Sequence, residues 1–374
     1  MFRKIRAFFV GALFTTFIVL GALNYLNARI SQPAIANVSK ATVSAKTARL
    51  PSTEATDVQL SQDDQYIAYK DKEGLKVYNT KTSKIIFQED KNQLKDTFFY
   101  EWLPDKNILL LISHADNQAI QSSTKTVASS TKTSANKLGV PELYSVDFSG
   151  ETSSDTTYSV RSECKLSNYP QGGVVQQMSL STYTNLIYLT VKTGSSEKLL
   201  QIDVMRNIAD LAHPGEKISR ISASDEQGTL YFQFVYNGVA QIVAVKQKTT
   251  RQQLFKGSQY VLLGQESNKV MIGVLANGNL TKVLSIPDTG LSTKVNSETT
   301  TEWEGNIPWK DYQVTYRSNG AIVLYDTKEA IVLDHGNQKK ITMKGSSNSI
   351  TLNGQEIVEV ISGETDTTIS VTLL

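Results

Sequence analysis

Apolar and polar residues alternate along the segment at residues 58–84, VQLSQDDQYIAYKDKEGLKVYNTKTSK. Two short apolar runs, at residues 66–69 and 75–78, are each bounded by polar turn residues such as Asp63, Asp64 and Asn79. Alternation with a period of two, bounded by Asp, Asn and Gly, is typical of β-strands joined by tight turns. The segment is therefore predicted to form a β-meander.

The same pattern recurs toward the C-terminus at intervals of about 40 to 50 residues, with one longer step. That longer step contains a Ser-, Thr- and Lys-rich insertion at residues 115–137, which is predicted to be a surface loop inside the second unit. Intervals of this size suit units of four strands. Six positions mark the units: Ile67, Ile108, Ile187, Leu230, Val270 and Ile322.

The segment after the sixth unit, residues 349–374, contains two or three further strand patterns. Asn353-Gly354 separates the first two and is a strong hairpin signal. These strands can complete a blade together with an N-terminal strand and so close a ring, or they form a degenerate seventh blade. We therefore predict an all-β fold, a six- to seven-bladed β-propeller at residues 57–374. A pair of β-sandwiches is the alternative.

The N-terminal segment predicts a membrane anchor. Residues 1–6 contain Arg3, Lys4 and Arg6, and residues 7–26 form an uncharged apolar run long enough to span a bilayer as one helix. The basic flank predicts a cytoplasmic N-terminus and an extracytoplasmic C-terminal domain. A signal peptide cleaved after residues 34–36, AIA, is the alternative. Residues 27–56 are small and polar, and they predict a flexible stalk.

The net charge and the cysteine content argue against a nucleic-acid-binding protein and exclude disulfide and cysteine-based zinc sites. The formal net charge is +2, and four of the basic residues lie in or beside the N-terminal segment. The remainder is nearly neutral, which argues against nucleic-acid binding. Cys164 is the single cysteine, so no intramolecular disulfide and no cysteine-based zinc site can form. Cys164 itself is expected to be structural.

The first two units resemble a known repeat family. Residues 60–69, LSQDDQYIAY, and residues 75–79, LKVYN, are similar to the opening strands of TolB-like and WD40-like β-propeller blades. Residues 143–147, LYSVD, with Gly150, are similar to a blade ending. Gln62 and Asp64 depart from the Pro and Gly of the family turn. The resemblance extends to the propeller of dipeptidyl peptidase IV-type proteins, without their peptidase domain, and it implies a fold rather than a ligand.

The sequence assigns no catalytic, cofactor-binding or metal-binding residue. G-x-S-x-G, H-E-x-x-H, Walker A and G-x-G-x-x-G motifs are missing from the sequence. The S-x-x-K match at Ser122 and Lys125 falls in the low-complexity insertion, where composition produces such matches by chance.

Three groups of residues are candidates for chemistry, and each also has a structural interpretation. The histidines are expected to be turn or surface residues. The acidic residues before strands are expected to cap turns rather than bind calcium. The aromatic residues are expected to fill the spaces between blades rather than form a ligand platform. These groups are His114, His213 and His335; Asp63, Asp64, Asp105, Asp225 and Glu226; and residues 98–100, Trp102, Trp303 and Trp309.

The expected function is therefore a non-catalytic protein-binding or scaffolding module of the cell envelope, held in the cell membrane by a single span. The expected partners are the membrane, through the N-terminal helix, and an envelope protein or a wall polymer. The alternatives are a propeller-type hydrolase or lyase and a protein that binds cell-wall glycan. Acidic and histidine residues converging on the central channel would favour an enzyme, whereas an apolar and hydroxyl-lined channel would favour a scaffold.

Overall fold

A computed structural model describes residues 46–374, except 91–93, 116–138, 151–157, 159, 247–249, 291–298, 335 and 352. The predicted basic flank, membrane anchor and most of the predicted stalk lie outside the described residues. The insertion predicted at residues 115–137 also lies outside them, apart from residue 115, which ends a strand. Among the described residues, no helix has the length and apolar character needed to cross a membrane.

The described residues form seven four-stranded antiparallel sheets, which are the blades of a β-propeller. The prediction of an all-β propeller is confirmed, and the number of blades is seven. In these segments Val, Ile, Leu and Tyr alternate with polar residues, which favours β-strands. The apolar side chains are buried where the sheets of neighbouring blades pack face to face.

Blades 1 to 4 follow the chain in order. Blade 1 contains β2 (Thr56–Leu60), β3 (Tyr66–Asp71), β4 (Gly74–Asn79) and β5 (Lys84–Gln88), and blade 2 contains β6 (Leu94–Trp102), β7 (Ile108–Ala115), β8 (Pro141–Asp147) and β9 (Val160–Lys165). Blade 3 contains β10 (Val174–Ser181), β11 (Leu186–Thr193), β12 (Ser196–Ile202) and β13 (Ile208–Asp210), and blade 4 contains β14 (Lys217–Ala223), β15 (Leu230–Tyr236), β16 (Val239–Lys246) and β17 (Thr250–Lys256).

Blades 5 and 6 continue the series, and blade 7 combines both ends of the propeller. Blade 5 contains β18 (Tyr260–Glu266), β19 (Lys269–Ala276), β20 (Asn279–Pro287) and β21 (Thr300–Pro308), and blade 6 contains β22 (Gln313–Tyr316), β23 (Ile322–Tyr325), β24 (Glu329–Asp334) and β25 (Asn337–Thr342). Blade 7 contains β26 (Ser347–Ile350), β27 (Glu356–Ser362), β28 (Thr367–Leu373) and, beside β28, the N-terminal strand β1 (Lys46–Leu50).

The ring closes through β1, as the closure hypothesis predicted. β1 pairs with β28 from Lys46 opposite Val371 to Leu50 opposite Thr367. The sequence placed these residues in the stalk, because KTARL is short and has little apolar alternation. Their strand conformation instead comes from the free edge of β28, which offers backbone partners that a sequence pattern cannot reveal. Residues 46–50 therefore belong to the propeller.

The antiparallel order gives the propeller two different faces. The turns between the first and second strands of each blade, and those between the third and fourth strands of blades 1 to 6, lie at one face, which we call the turn face. The hairpins between the second and third strands, and the connections from blade to blade, lie at the other, the connector face. Lys46, at the start of β1, lies at the turn face.

Candidate functional site

The central channel is lined by the first strand of each blade. A cavity of about 370 Å³ in it is bounded mainly by apolar and amide side chains. In blades 1 to 5, the pairing between the first and second strands is interrupted by a shift of register, as in a β-bulge. Such a shift breaks the regular alternation of side chains between the two faces of the strand. The main lining residues are Phe99, Met178, Ile221, Leu262, Gln176 and Gln313.

Two glutamines beside the channel are used to join blades. The Gln177 amide Nε2 donates to the Ser219 carbonyl at 2.8 Å, and its Oε1 accepts from the Ile221 N–H at 3.1 Å. Gln233 of blade 4 joins blade 5 in the same way, because its amide Nε2 donates to the Tyr260 carbonyl. These amides satisfy backbone groups that the register shifts leave out of the sheet ladder. Their role is structural.

The channel cavity contains one carboxylate and one guanidinium among its lining residues, Glu101 and Arg220. Burial raises the pKa of Glu101 to about 8, so the group is mostly protonated at neutral pH. The Arg220 guanidinium donates a hydrogen bond to the Asp311 carboxylate, at a nitrogen–oxygen distance of 2.8 Å, and another to the Tyr312 carbonyl. No cluster of acidic and histidine side chains lines this cavity.

The two histidines in the described part of the chain lie in different blades or connections. His114 lies near the end of β7 and packs on Phe98, with ring centroids 5.0 Å apart. His213 lies in the connection between blades 3 and 4, where its backbone N–H donates to Glu216 at 2.8 Å. His335 lies outside the described residues. Throughout the described part of the chain, no three His, Cys, Asp or Glu side chains are placed to hold a metal ion.

Two of the predicted turn carboxylates, Asp63 and Asp225, accept hydrogen bonds from backbone N–H groups of turns, and both connect neighbouring blades. Asp63 accepts from the Gln65 N–H at 3.0 Å and from Asn107 of blade 2 at 2.9 Å. Asp225, in blade 4, accepts from the Thr182 N–H of blade 3 at 2.9 Å. The predicted local cap is confirmed for Asp63, whereas Asp225 bonds to a turn of the neighbouring blade instead of its own.

The aromatic residues mostly fill inter-blade space, as expected. Trp102 is fully buried, and its ring lies 6.2 Å from Tyr66 and 5.5 Å from Phe148. Trp303 is also buried, in the cluster shared by blades 5 and 6. Cys164 is buried, and burial raises the pKa of its thiol to about 11, which keeps it protonated. Its structural interpretation is confirmed.

A second cavity, of about 390 Å³, opens on the turn face between blades 2 and 3. We call it the blade 2–3 groove. Its walls come from the β6–β7, β10–β11 and β12–β13 turns and from the start of β9. About half of its lining residues are apolar, and they include Leu103, Leu110, Leu143, Leu180, Leu186 and Ile202.

Three large apolar side chains are exposed in the turns at this groove. Tyr183, in the β10–β11 turn, is 82% exposed, and Val204 and Met205, in the β12–β13 turn, are 67% and 76% exposed. The two turns lie at the same end of blade 3 because β11 and β12 are antiparallel, with Ile187 opposite Ile202. Exposed apolar residues grouped beside a concave apolar surface are typical of an interaction site.

Sequence reasoning missed this groove, although one local signal pointed to it. The β12–β13 turn reads DVMRN at residues 203–207, with two apolar residues where turns usually carry polar ones. Asp203 accepts hydrogen bonds from the Met205 and Asn207 N–H groups at 3.0 and 2.9 Å. These bonds fix the turn and hold its apolar side chains outward.

Charged residues surround the groove. Glu163 accepts from Ser145 Oγ at 2.7 Å and lies 3.4 Å from Arg161 and 4.0 Å from Arg206. The rim also contains Asp105 and Lys106, whose charged groups lie 3.7 Å apart.

Comparisons with known proteins extend the structural result. No protein-family model matches the chain, and no curated protein matches it in sequence. Among solved structures, the Cps50 (Swd1) β-propeller domain of Myceliophteria thermophila matches with a TM-score of 0.51 and 9% identity, covering 89% of this chain and 100% of its own. An oligogalacturonate lyase in complex with manganese matches with a TM-score of 0.53 and 9% identity, covering 89% and 94%. TolB from Acinetobacter baumannii gives a TM-score of 0.41 and 11% identity, covering 86% and 85%.

Identities this low show the fold alone. The narrower resemblance to dipeptidyl peptidase IV-type propellers stays a prediction. In fold, the chain is similar to the β-propeller domains of otherwise different proteins, as its blade-like repeats predicted.

Proposed function

We propose that this protein is a non-catalytic protein-binding module, held at the outer side of a cell membrane by the apolar segment at residues 7–26. The observation that carries the proposal is the group of exposed apolar residues beside the blade 2–3 groove. Tyr183, Val204 and Met205 expose most of their apolar surface to water, which is costly unless a partner covers them.

The composition of the central channel supports a binding function over a catalytic one. Acid–base catalysis on a glycan or peptide normally needs two titratable groups at a defined separation. The channel cavity presents Glu101, while Arg220 is engaged by Asp311 and by a backbone carbonyl. The other lining side chains are mostly apolar groups and amides.

The membrane and envelope part of the proposal rests on the sequence. The 20-residue uncharged run with its basic flank matches a signal anchor. A near-neutral domain with a single cysteine suits a bacterial envelope in which disulfides are little used. The partner is accordingly expected to be another envelope protein.

The proposal is tested by affinity purification of full-length tagged protein from native membranes, with partners identified by mass spectrometry. A double variant, Tyr183→Ser with Met205→Ser, removes exposed apolar area without touching the core. Tyr236→Ser, on the connector face and 43% exposed, is the matched control. We expect a defined envelope protein to be captured by the unaltered protein and by the control, and lost with the double variant.

Two results would contradict this function. One is the absence of any partner enriched over a tagged anchor that lacks the propeller. The other is turnover of a wall glycan or peptide by the purified protein that is abolished by Glu101→Gln, because that result would make the channel an active site.

A further inference from the structure

At one place on the rim of the blade 2–3 groove two arginines share one carboxylate, although the described lining residues are balanced overall, with three acidic and three basic side chains. Arg161 and Arg206 both line the groove, and both approach the same carboxylate, Glu163. Their side chains are 72% and 57% exposed, whereas Glu163 is 29% exposed. Glu163 is the one carboxylate of the described residues that lies within 4 Å of the Arg161 guanidinium, and the same is true for Arg206. Two cations therefore share one anion, which Ser145 already engages.

The other charged residues of the rim have contacts of their own. Asp203 directs its carboxylate to the N–H groups of its own turn. Asp105 lies beside Lys106. A guanidinium has five N–H donors in a planar fork, so each arginine keeps donors that can bind a second carboxylate from outside.

The apolar part of the groove has the size of a side-chain pocket. Its volume of about 390 Å³ lies at the low end of the range for ligand pockets, about 300–1,000 Å³. Leu180, Leu186 and Ile202 line its interior, and Val204 stands at its edge. Such a site suits one large apolar side chain of a partner, with the surrounding turns covering the flanking backbone.

We propose that the blade 2–3 groove binds an extended segment of a partner protein that inserts one large apolar side chain and places a neighbouring carboxylate on Arg161 and Arg206. This inference rests on the proposed function and names the chemistry of the partner at that site. The apolar contact supplies the anchor, and the two arginines select acidic over basic segments.

The test uses two labelled pools of synthetic nine-residue peptides, with Phe, Leu or Trp fixed at the centre. One pool carries Glu two positions after the centre, the other carries Lys there, and the remaining positions are mixed uncharged residues. Binding to purified full-length protein in detergent is measured by fluorescence anisotropy. We expect the Glu pool to bind about tenfold more tightly, since a charge-assisted hydrogen bond supplies enough free energy for that ratio.

Variants separate the two parts of the site. Arg161→Gln with Arg206→Gln should remove the preference for Glu while leaving binding of both pools measurable. Val204→Ser, at an exposed edge position, should weaken both pools without changing their ratio. Lys84→Gln with Lys339→Gln, two exposed lysines distant from the groove, is the matched control and should change neither.

Equal binding of the two pools, or a preference for Glu that survives the double arginine variant, would overturn the inference. Competition by phosphatidylglycerol vesicles as strong as that by unlabelled Glu peptides would also overturn it, because the arginines would then face lipid. The envelope partner captured from membranes gives a separate readout. If it is captured equally by the double arginine variant, the groove inference fails while the proposed function stands.

Discussion

The carboxyl groups of Asp64 and Glu356 face each other where the β2–β3 turn of blade 1 meets the start of β27 in blade 7. Asp64 Oδ1 and Glu356 Oε2 are buried, and among the described residues no N–H or O–H group donates to either oxygen. Lys46, the first residue of the closing strand, lies 3.4 Å from the other oxygen of Asp64. Two buried carboxyl groups that face each other disfavour a second negative charge, so the pair favours binding a proton.

Ring closure is therefore expected to weaken as pH rises. Burial and the charge of Asp64 raise the pKa of Glu356 to about 7, above its ordinary value of 4.5. Because the folded state binds this proton more tightly than the unfolded state does, protonated Glu356 stabilises the folded protein. This contribution to the free energy of unfolding is complete below about pH 4.5 and is lost as pH rises through 7. We predict that Glu356→Gln, which stays neutral, is more stable than the unaltered protein at pH 8 and gains little at pH 5. Thermal unfolding at both pH values measures this, and an equal effect at both would contradict it.

The ion pairs around Glu329 predict the opposite pH dependence. Lys310 and Lys340 lie 2.9 and 2.6 Å from this carboxylate, and Tyr312 donates to it at 2.6 Å. These contacts lower the pKa of Glu329 to about 2, so its stabilising effect is lost as pH falls from about 4.5 toward 2. We predict that Glu329→Gln lowers the melting temperature most at pH 7 and progressively less toward pH 3. A destabilisation independent of pH would assign the effect to packing.

The amide of Gln177 should stabilise the contact between blades 3 and 4. Gln177→Leu leaves the Ser219 carbonyl and the Ile221 N–H without this partner. We expect the free energy of unfolding to fall by about 0.5–1.5 kcal/mol, the usual net contribution of a hydrogen bond that is partly exposed. Gln176→Leu, at the adjacent exposed position, is the control and should change it by less than about 0.5 kcal/mol. Urea denaturation of both variants measures the difference, and similar values would count against the inter-blade role.

The burial of Trp102 predicts a large cost for its removal. Its indole packs on Tyr66 and Phe148, and Nε1 donates to the Gln59 carbonyl at 3.3 Å. We expect Trp102→Ala to lower the free energy of unfolding by about 3–5 kcal/mol. Tyr183→Ala, at an exposed turn position, should have an effect near zero by the same denaturation assay. A small effect of Trp102→Ala would mean that this aromatic residue is not part of the inter-blade core.

Local sequence pattern determined the strands and many of the turns. Alternation at residues 66–69 and 75–78 became β3 and β4, and the acidic turn between Ser61 and Tyr66 is capped by Asp63. The Asn353-Gly354 signal became the β26–β27 hairpin, where Gly354 has a φ of +66° and a β-carbon would lie 2.6 Å from the Tyr316 carbonyl oxygen. Such features depend on residues close in the chain, so the sequence alone predicts them.

Only the tertiary structure decided how distant parts of the chain meet. The seventh blade takes β1 from the other end of the propeller, and KTARL has no pattern that announces its partner β28. The blade 2–3 groove joins Arg161 with Arg206, and its apolar side chains come from two blades. The raised pKa of Glu356 depends on burial and on Asp64, which is far away in the chain. Sequence periodicity reports which side of a strand is buried, whereas neighbours across blades, and the charges they bring, are fixed only when the ring closes.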